Sequence, residues 1–169
     1  MLLQDGNKRV ELTILGYEFP AAKEKWDANW LVVHGDIVAP EGAWSFDEPV
    51  WLTNDPPRLA DWLEAVAMGR PEVAGRPRDE ATAELRNPWE VAEGFGTMEP
   101  NLAFLLYKPG PGTVELGVQL DYESRPPWRI EASSDNPYVL RLRLSAETVL
   151  AAAEALRKEI APYPPRLDF

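Results

Sequence analysis

The sequence predicts an α+β fold: an antiparallel sheet of about six to seven strands with two helices packed on it. Three observations predict it. Apolar and polar residues alternate with period two through most of the chain, as half-buried strands require. Only two stretches, Leu59 to Val66 and Val149 to Ile160, repeat their apolar residues at helical spacing. Strand-like segments follow one another across turn signals, without helical crossovers, which implies antiparallel pairing.

Val10, Leu12 and Ile14 form one apolar face of a first strand, ended by Phe19-Pro20. A charged loop, Ala21 to Ala28, surrounds Trp26. The second strand runs from about Asn29 to Val38, with Leu31, Val33 and Ile37 on one face and Trp30, Val32, His34 and Asp36 on the other. After the turn Pro40-Glu41-Gly42, Trp44, Phe46, Val50 and Leu52 mark a third strand interrupted near Pro49. Thr53, Asn54 or Asp55 can cap the first helix, Pro56-Pro57 suit its first turn, and Leu59, Trp62, Leu63 and Val66 form its stripe. Gly69 and Pro71 end it.

Residues 70–100 are rich in Pro, Gly and charge and read as irregular, with a short weak strand at Ala81 to Arg86. Leu102 to Tyr107, apolar on both faces, reads as a central strand. Past Pro109-Gly110-Pro111-Gly112, a one-sided strand carries Val114, Leu116, Val118, Leu120 and Tyr122 inward. Its wet face includes Asp121 and Glu123. Trp128, Ile130 and Ala132 suggest a short strand, and Tyr138, Leu140, Leu142 and Leu144 a one-sided one with Arg141 and Arg143 outward. Ser145 caps the last helix, whose stripe is Val149, Ala153, Leu156 and Ile160 before Pro162.

The 169 residues suit one domain spanning 1–169, and no internal repeat or second composition regime divides them. With 45% hydrophobic residues and seven Trp, the body of the chain has material for a core. The net charge of −11 repels phosphate backbones, so direct nucleic-acid binding is not expected, whereas a basic partner is attracted. No Cys is present, which removes disulfides, thiolate nucleophiles and Cys-based metal sites. No secretory signal or apolar run of membrane-spanning length occurs, leaving a cytoplasmic address as the expectation.

Chemistry has few candidates. His34 is the one histidine and lies mid-strand, so neither a His-paired nucleophile nor a His-rich metal site is expected. No phosphate-binding loop, nucleophile elbow or Ser-x-x-Lys pair occurs. Asp121 with Glu123, or Glu90 with Glu93, are the possible acid–base pairs. On one strand face, i and i+2 lie about 7 Å apart, a spacing that suits a carboxylate dyad and equally any solvated strand. Cross-strand pairing with Arg141 and Arg143 accounts for Asp121 and Glu123 without catalysis. Neither an enzyme nor a cofactor or metal is expected.

Aromatic residues in charged loops say more. Trp30, Trp44, Trp51 and Trp62 fit sheet or core positions, whereas Trp26, Trp89 and Trp128 fall in loops. Trp26 with Asp27, and Trp89 with Glu90 and Glu93, join an aromatic anchor to negative charge, as a surface for a basic protein needs. The candidate partner-binding residues are therefore Trp26, Asp27, Trp89, Glu90, Glu93, Asp121 and Glu123.

Four motifs in order carry a resemblance: Trp26-Asp27-Ala28-Asn29-Trp30-Leu31, Gly42-Ala43-Trp44-Ser45-Phe46, Leu59-Ala60-Asp61-Trp62-Leu63 and Glu99-Pro100-Asn101-Leu102-Ala103-Phe104. Together, over residues 10 to 107, they resemble the WapI family of bacterial immunity proteins. The resemblance implies a cytosolic antitoxin that binds the C-terminal domain of a contact-delivered toxin, in some relatives a nuclease, and blocks it. It assigns no site residue. Two other readings stand behind it: a small-ligand binding or sensing domain with a Trp-lined pocket between sheet and helices, and a carboxylate hydrolase assisted by a divalent metal.

Overall fold

A computed structural model describes residues 1–70, 93–110, 112–129 and 137–167. The α+β class is as the sequence predicts, but among the described residues eight strands form two antiparallel sheets of four, where one sheet of six to seven was expected. The first sheet comprises β1 (Leu2–Asp5), β2 (Lys8–Tyr17), β3 (Trp30–Ala39) and β4 (Gly42–Leu52). The second comprises β5 (Glu93–Gly96), β6 (Leu102–Gly110), β7 (Thr113–Leu120) and β8 (Tyr138–Ser145). Each is a meander in chain order. The helix α1 (Asp55–Ala67) follows the first sheet, and α2 (Ala146–Ile160) follows the second.

The expectation of a single sheet fails at a definite place. Strands β1 and β8 approach each other, but side chains fill the positions a backbone ladder would take. The Lys8 Nζ donates to the Arg141 carbonyl at 2.5 Å, and the Arg143 N–H donates to Asp5 Oδ2 at 3.0 Å. Charged side chains on an outer strand stop a sheet from extending.

Alternation in β3 is strict: Leu31, Val33, Ile37 and Ala39 are buried, and Trp30, Val32, His34, Asp36 and Val38 are half-exposed. The inward residues of both sheets meet the stripes of both helices in one core, which includes Leu12, Ile37, Trp51, Trp62, Phe104, Leu116 and Leu156. Gly35 is required here, because a Cβ would lie 2.2 Å from the Phe46 ring. Pro49 is tolerated because β4 is the outermost strand, and a bulge shifts the register there, with Leu31 opposite Trp51 and Val32 opposite Pro49. Part of the stretch expected to be irregular is ordered: Glu93–Gly96 pairs with β6 as β5. The expected strand at Ala81 to Arg86 lies outside the described residues, as do Ile130 and Ala132. Trp128 belongs to a 3-10 turn, Pro127–Arg129, and not to a strand.

The start of α2 is as its sequence suggests, whereas α1 lacks the side-chain cap expected from Thr53, Asn54 or Asp55. The Ser145 hydroxyl accepts the Thr148 N–H at 3.0 Å and caps α2. Two acids of α1 hold Arg157 of α2, Asp61 at 2.8 Å and Glu64 at 2.5 Å. Glu159 joins α2 to the first sheet by accepting the Ile14 N–H at 2.6 Å. At the start of α1 the Asn54 side chain makes no capping bond. Asp55 instead turns its carboxylate back to the Leu52 N–H, at 2.8 Å.

Asp55 is buried, and burial pushes its pKa above the usual carboxylate value, opposed by the Leu52 N–H and by Arg58. A raised folded-state pKa means the ionised form is the costly one. Its contribution to stability is greatest below the unfolded pKa and declines as pH rises through the folded value. Asp55→Asn, which keeps an acceptor and removes the charge, should stay near wild type in urea unfolding at pH 7. Asp55→Ala orphans a buried N–H and should cost about 1–3 kcal/mol. Among the described residues no helix is long and apolar enough to cross a membrane.

Candidate docking surface

The connection between β2 and β3 is long but closely held. The Glu18 N–H donates to the Trp30 carbonyl at 2.9 Å, so the strands stay paired at the mouth of the loop. Inside it, the Ala28 N–H reaches the Glu24 carbonyl (2.9 Å), and the Asn29 N–H the Trp26 carbonyl (3.0 Å), winding a 3-10 turn at Asp27–Asn29. Asn29 is the loop's buried root. Its Nδ2 donates to the Lys25 carbonyl at 2.7 Å, and its Oδ1 accepts from Thr53 Oγ1 at 3.0 Å. This geometry leaves the Trp26 side chain 50% exposed, with Asp27 exposed beside it.

A second segment reaches the same region from the other sheet. After β7, residues 121–129 make two 3-10 turns, at Tyr122–Ser124 and Pro127–Arg129, and lie against β4. Aromatic packing fixes them there. Trp44 donates its Nε1 to the Ser124 carbonyl at 3.0 Å and meets the rings of Trp128 (5.3 Å) and Tyr138 (5.5 Å) edge-on. Gly42 admits Trp128: a Cβ there would come within 2.9 Å of its ring. The Tyr138 hydroxyl donates to Glu41 at 2.8 Å, and burial together with that carboxylate pushes its pKa up.

The two segments and β4 assemble a row of carboxylates. Glu18 is half-buried, and its pKa is raised by burial first, then by the charges of Asp27 and Glu48. Glu48, also half-buried, is raised by burial, then by Glu123 and Asp47. Asp27, Glu18, Glu48 and Glu123 thus form a continuous acidic series, with Asp47 at its side bonded to His34 Nδ1 at 2.5 Å. Exposed aromatic residues, Trp26 and Tyr122, stand beside its two ends in sequence. Burial first, and the neighbouring charges after it, make the ionised forms of Glu18 and Glu48 the costly ones, a cost relieved as pH falls toward the carboxylate range. Glu48→Gln should therefore stabilise the protein, by roughly 0.2–1 kcal/mol as for adjacent like charges, with the gain shrinking as the pH is lowered; thermal unfolding at two pH values checks it.

Among the described residues, no group of three or more His, Asp and Glu side chains is placed to hold a metal ion. Two open grooves, one between β1 and α2 lined by Leu2, Gln4 and Ala151, the other beside Lys8 and Arg143, carry no Trp.

The sequence matches the model of the Immunity protein WapI-like family over residues 1–164. The chain belongs to that family. No curated protein matches it, and no solved structure does. Immunity is thus the role of its family, and the WapI-like match spans both sheets, both helices and every carboxylate of the acidic row.

Of the residues singled out from sequence in this WapI-like chain, Asp27 and Glu123 are linked by neighbouring charge through Glu18 and Glu48, and Trp26 precedes Asp27 in the loop. Trp89 and Glu90 lie outside the described residues, and Glu93 lies in β5, opposite Leu106 of β6. Asp121 requires correction. The strand ends at Leu120, so Asp121 and Glu123 share no wet strand face. Asp121 is buried, accepts the Tyr122 N–H at 2.8 Å, and pairs with Arg125, whose Nε lies 2.7 Å away. It braces the turn and is not a surface contact. Glu123 accepts from Asn101 Nδ2 at 3.0 Å, so the proposed dyad is split between two environments. Arg141 and Arg143 stand opposite Gly117 and Glu115, away from both acids. Glu18 and Glu48 were missed by sequence reasoning. One signal was available for Glu48: the Asp47-Glu48 pair breaks the alternation of β4 just before Pro49.

Proposed function

We propose that this protein is a cytoplasmic immunity protein that docks the catalytic domain of a bacterial toxin on its acidic row and blocks it by occlusion, without chemistry of its own. The observation that carries the reading is the row itself: carboxylates from separate segments, Asp27, Glu18, Glu48 and Glu123, are near enough for their like charges to add to the cost that burial sets on ionising Glu18 and Glu48, beside exposed Trp26. A cost of that kind is repaid when a partner brings positive charge. A toxin with a basic substrate groove, such as a nuclease that must hold phosphates, is the partner class the charge fits. Trp26 supplies the apolar anchor that such interfaces place near their centre.

The test is protection. Co-expression with a toxin domain found encoded next to this gene should restore growth, and the purified pair should bind more weakly as salt rises. Absence of both rescue and binding would remove the proposal.

A further inference from the structure

We propose that Arg166, on the tail after α2, is a positioning residue that holds the Trp26–Asp27 loop in its docking shape; the inference rests on the docking role proposed above. The tail crosses the base of the loop. Tyr163 packs edge-on against Tyr17 at 5.8 Å, and the Tyr17 hydroxyl donates to the Pro164 carbonyl at 2.5 Å. Two residues on, Arg166 engages the loop from both sides of its backbone. Its N–H donates to Asn29 Oδ1 at 2.8 Å, and its carbonyl accepts from Asn29 Nδ2 at 2.6 Å.

The guanidinium then gathers the two arms of the loop. Nη1 donates to the Pro20 carbonyl (2.7 Å) and Nη2 to that of Phe19 (3.0 Å) on the outgoing arm. On the returning arm, Nε (2.8 Å) and Nη2 (2.5 Å) both reach the Ala28 carbonyl. The guanidinium carbon lies 3.7 Å from the centroid of the Tyr17 ring, so the cation is also stacked.

The choice of acceptors is what points to positioning. Among the described residues, each hydrogen bond of the guanidinium goes to a backbone carbonyl and none to Glu18 or Asp27. A cation has been placed at the root of a charged loop in a way that orders the backbone and takes neither carboxylate as a partner, with Asp27 exposed and Glu18 half-buried. A planar fork spreads its five donors over three nitrogens to reach both arms and stacks on Tyr17, which the single nitrogen of a Lys ammonium does not reproduce. Arg166 lies just past residues 1–164, the span matched by the family model.

Charge and order make opposite predictions, which gives the test. A short oligo-arginine peptide serves as the basic probe, titrated at low salt against the full chain, with hydrogen exchange read in parallel. If Arg166 acted as a charge alone, Arg166→Ala would make the protein more acidic and tighten binding. Positioning predicts the reverse: Arg166→Ala weakens the peptide about 3–10-fold, the scale set by reordering a few side chains, and Arg166→Lys falls between it and wild type. The Ala28 and Asn29 amides should exchange faster while those of β3 stay protected. Tighter or unchanged binding by Arg166→Ala would overturn the proposal, as would loss of the whole fold in both variants, since the residue would then support the core and not the loop. Glu48→Gln separates the two ideas. If it leaves peptide binding unchanged, the docking row is wrong, while exchange at Ala28 and Asn29 still reports whether Arg166 orders the loop.

Discussion

Reversing the charge at Glu48, as Glu48→Lys, should weaken binding of the toxin domain by about a hundredfold or more, the cost expected when a like charge is set against a partner's cations in a desolvated contact. Glu48 is the member whose charge acts on Glu18 and which feels that of Glu123. A lysine there would be drawn to those same carboxylates, so it would neutralise the row from within as well as repel the partner. The variant should unfold no more easily than the wild type, because it converts like-charge contacts into opposite-charge ones. Loss of affinity with undiminished stability would separate docking from folding. Glu115→Lys, on β7 of the other sheet, should leave affinity within about twofold, as expected for a charge outside the contact. Calorimetric titration of the three proteins at fixed salt is the measurement.

Arg125→Ala should be the most destabilising of the substitutions considered, by about 3–5 kcal/mol, the usual penalty for leaving one member of a buried ion pair without the other. Asp121 and Arg125 keep side-chain exposures of only 8% and 7%. The pair also steadies a strained residue: Tyr122 has φ of +49°, in the left-handed region, and the Asp121 carboxylate accepts its N–H. Without Arg125 the carboxylate stays buried and uncompensated. Replacing both partners by apolar residues of similar volume should cost less than Arg125→Ala alone, since no isolated charge remains. Urea unfolding of the single and double variants checks the order. The consequence reaches the docking surface, because the same turn carries Glu123 to Glu48.

Much of the fold was legible because its causes are local. Alternation in β3 and β8, the cap of α2, the stripes of both helices, and the turn at Pro40-Glu41-Gly42 are each written in a few adjacent residues. The division into two sheets was not, since it depends on which outer strands meet. There the side chains of Asp5 and Lys8 occupy backbone groups of a strand more than a hundred residues away. Strand β5 was hidden by Gly94 and Gly96, which weaken any strand signal. Asp121 was misplaced because alternation continues through Tyr122, and the backbone turn that ends the strand rests on a buried pair between positions 121 and 125. The docking row was half legible: Trp26, Asp27 and Glu123 stand out by composition, whereas Glu18 and Glu48 gain meaning only once a loop, β4 and a turn after β7 are brought side by side.

The central claim is that one acidic face, built from three segments distant in sequence, receives the toxin. Hydrogen exchange of the free and toxin-bound protein tests it most directly. Exchange should slow in residues 18–30, in 45–50 and in 121–125, with the outer surfaces of β1 and α2 unchanged. Protection confined to β1 and α2, with those three segments exchanging as in the free protein, would contradict it.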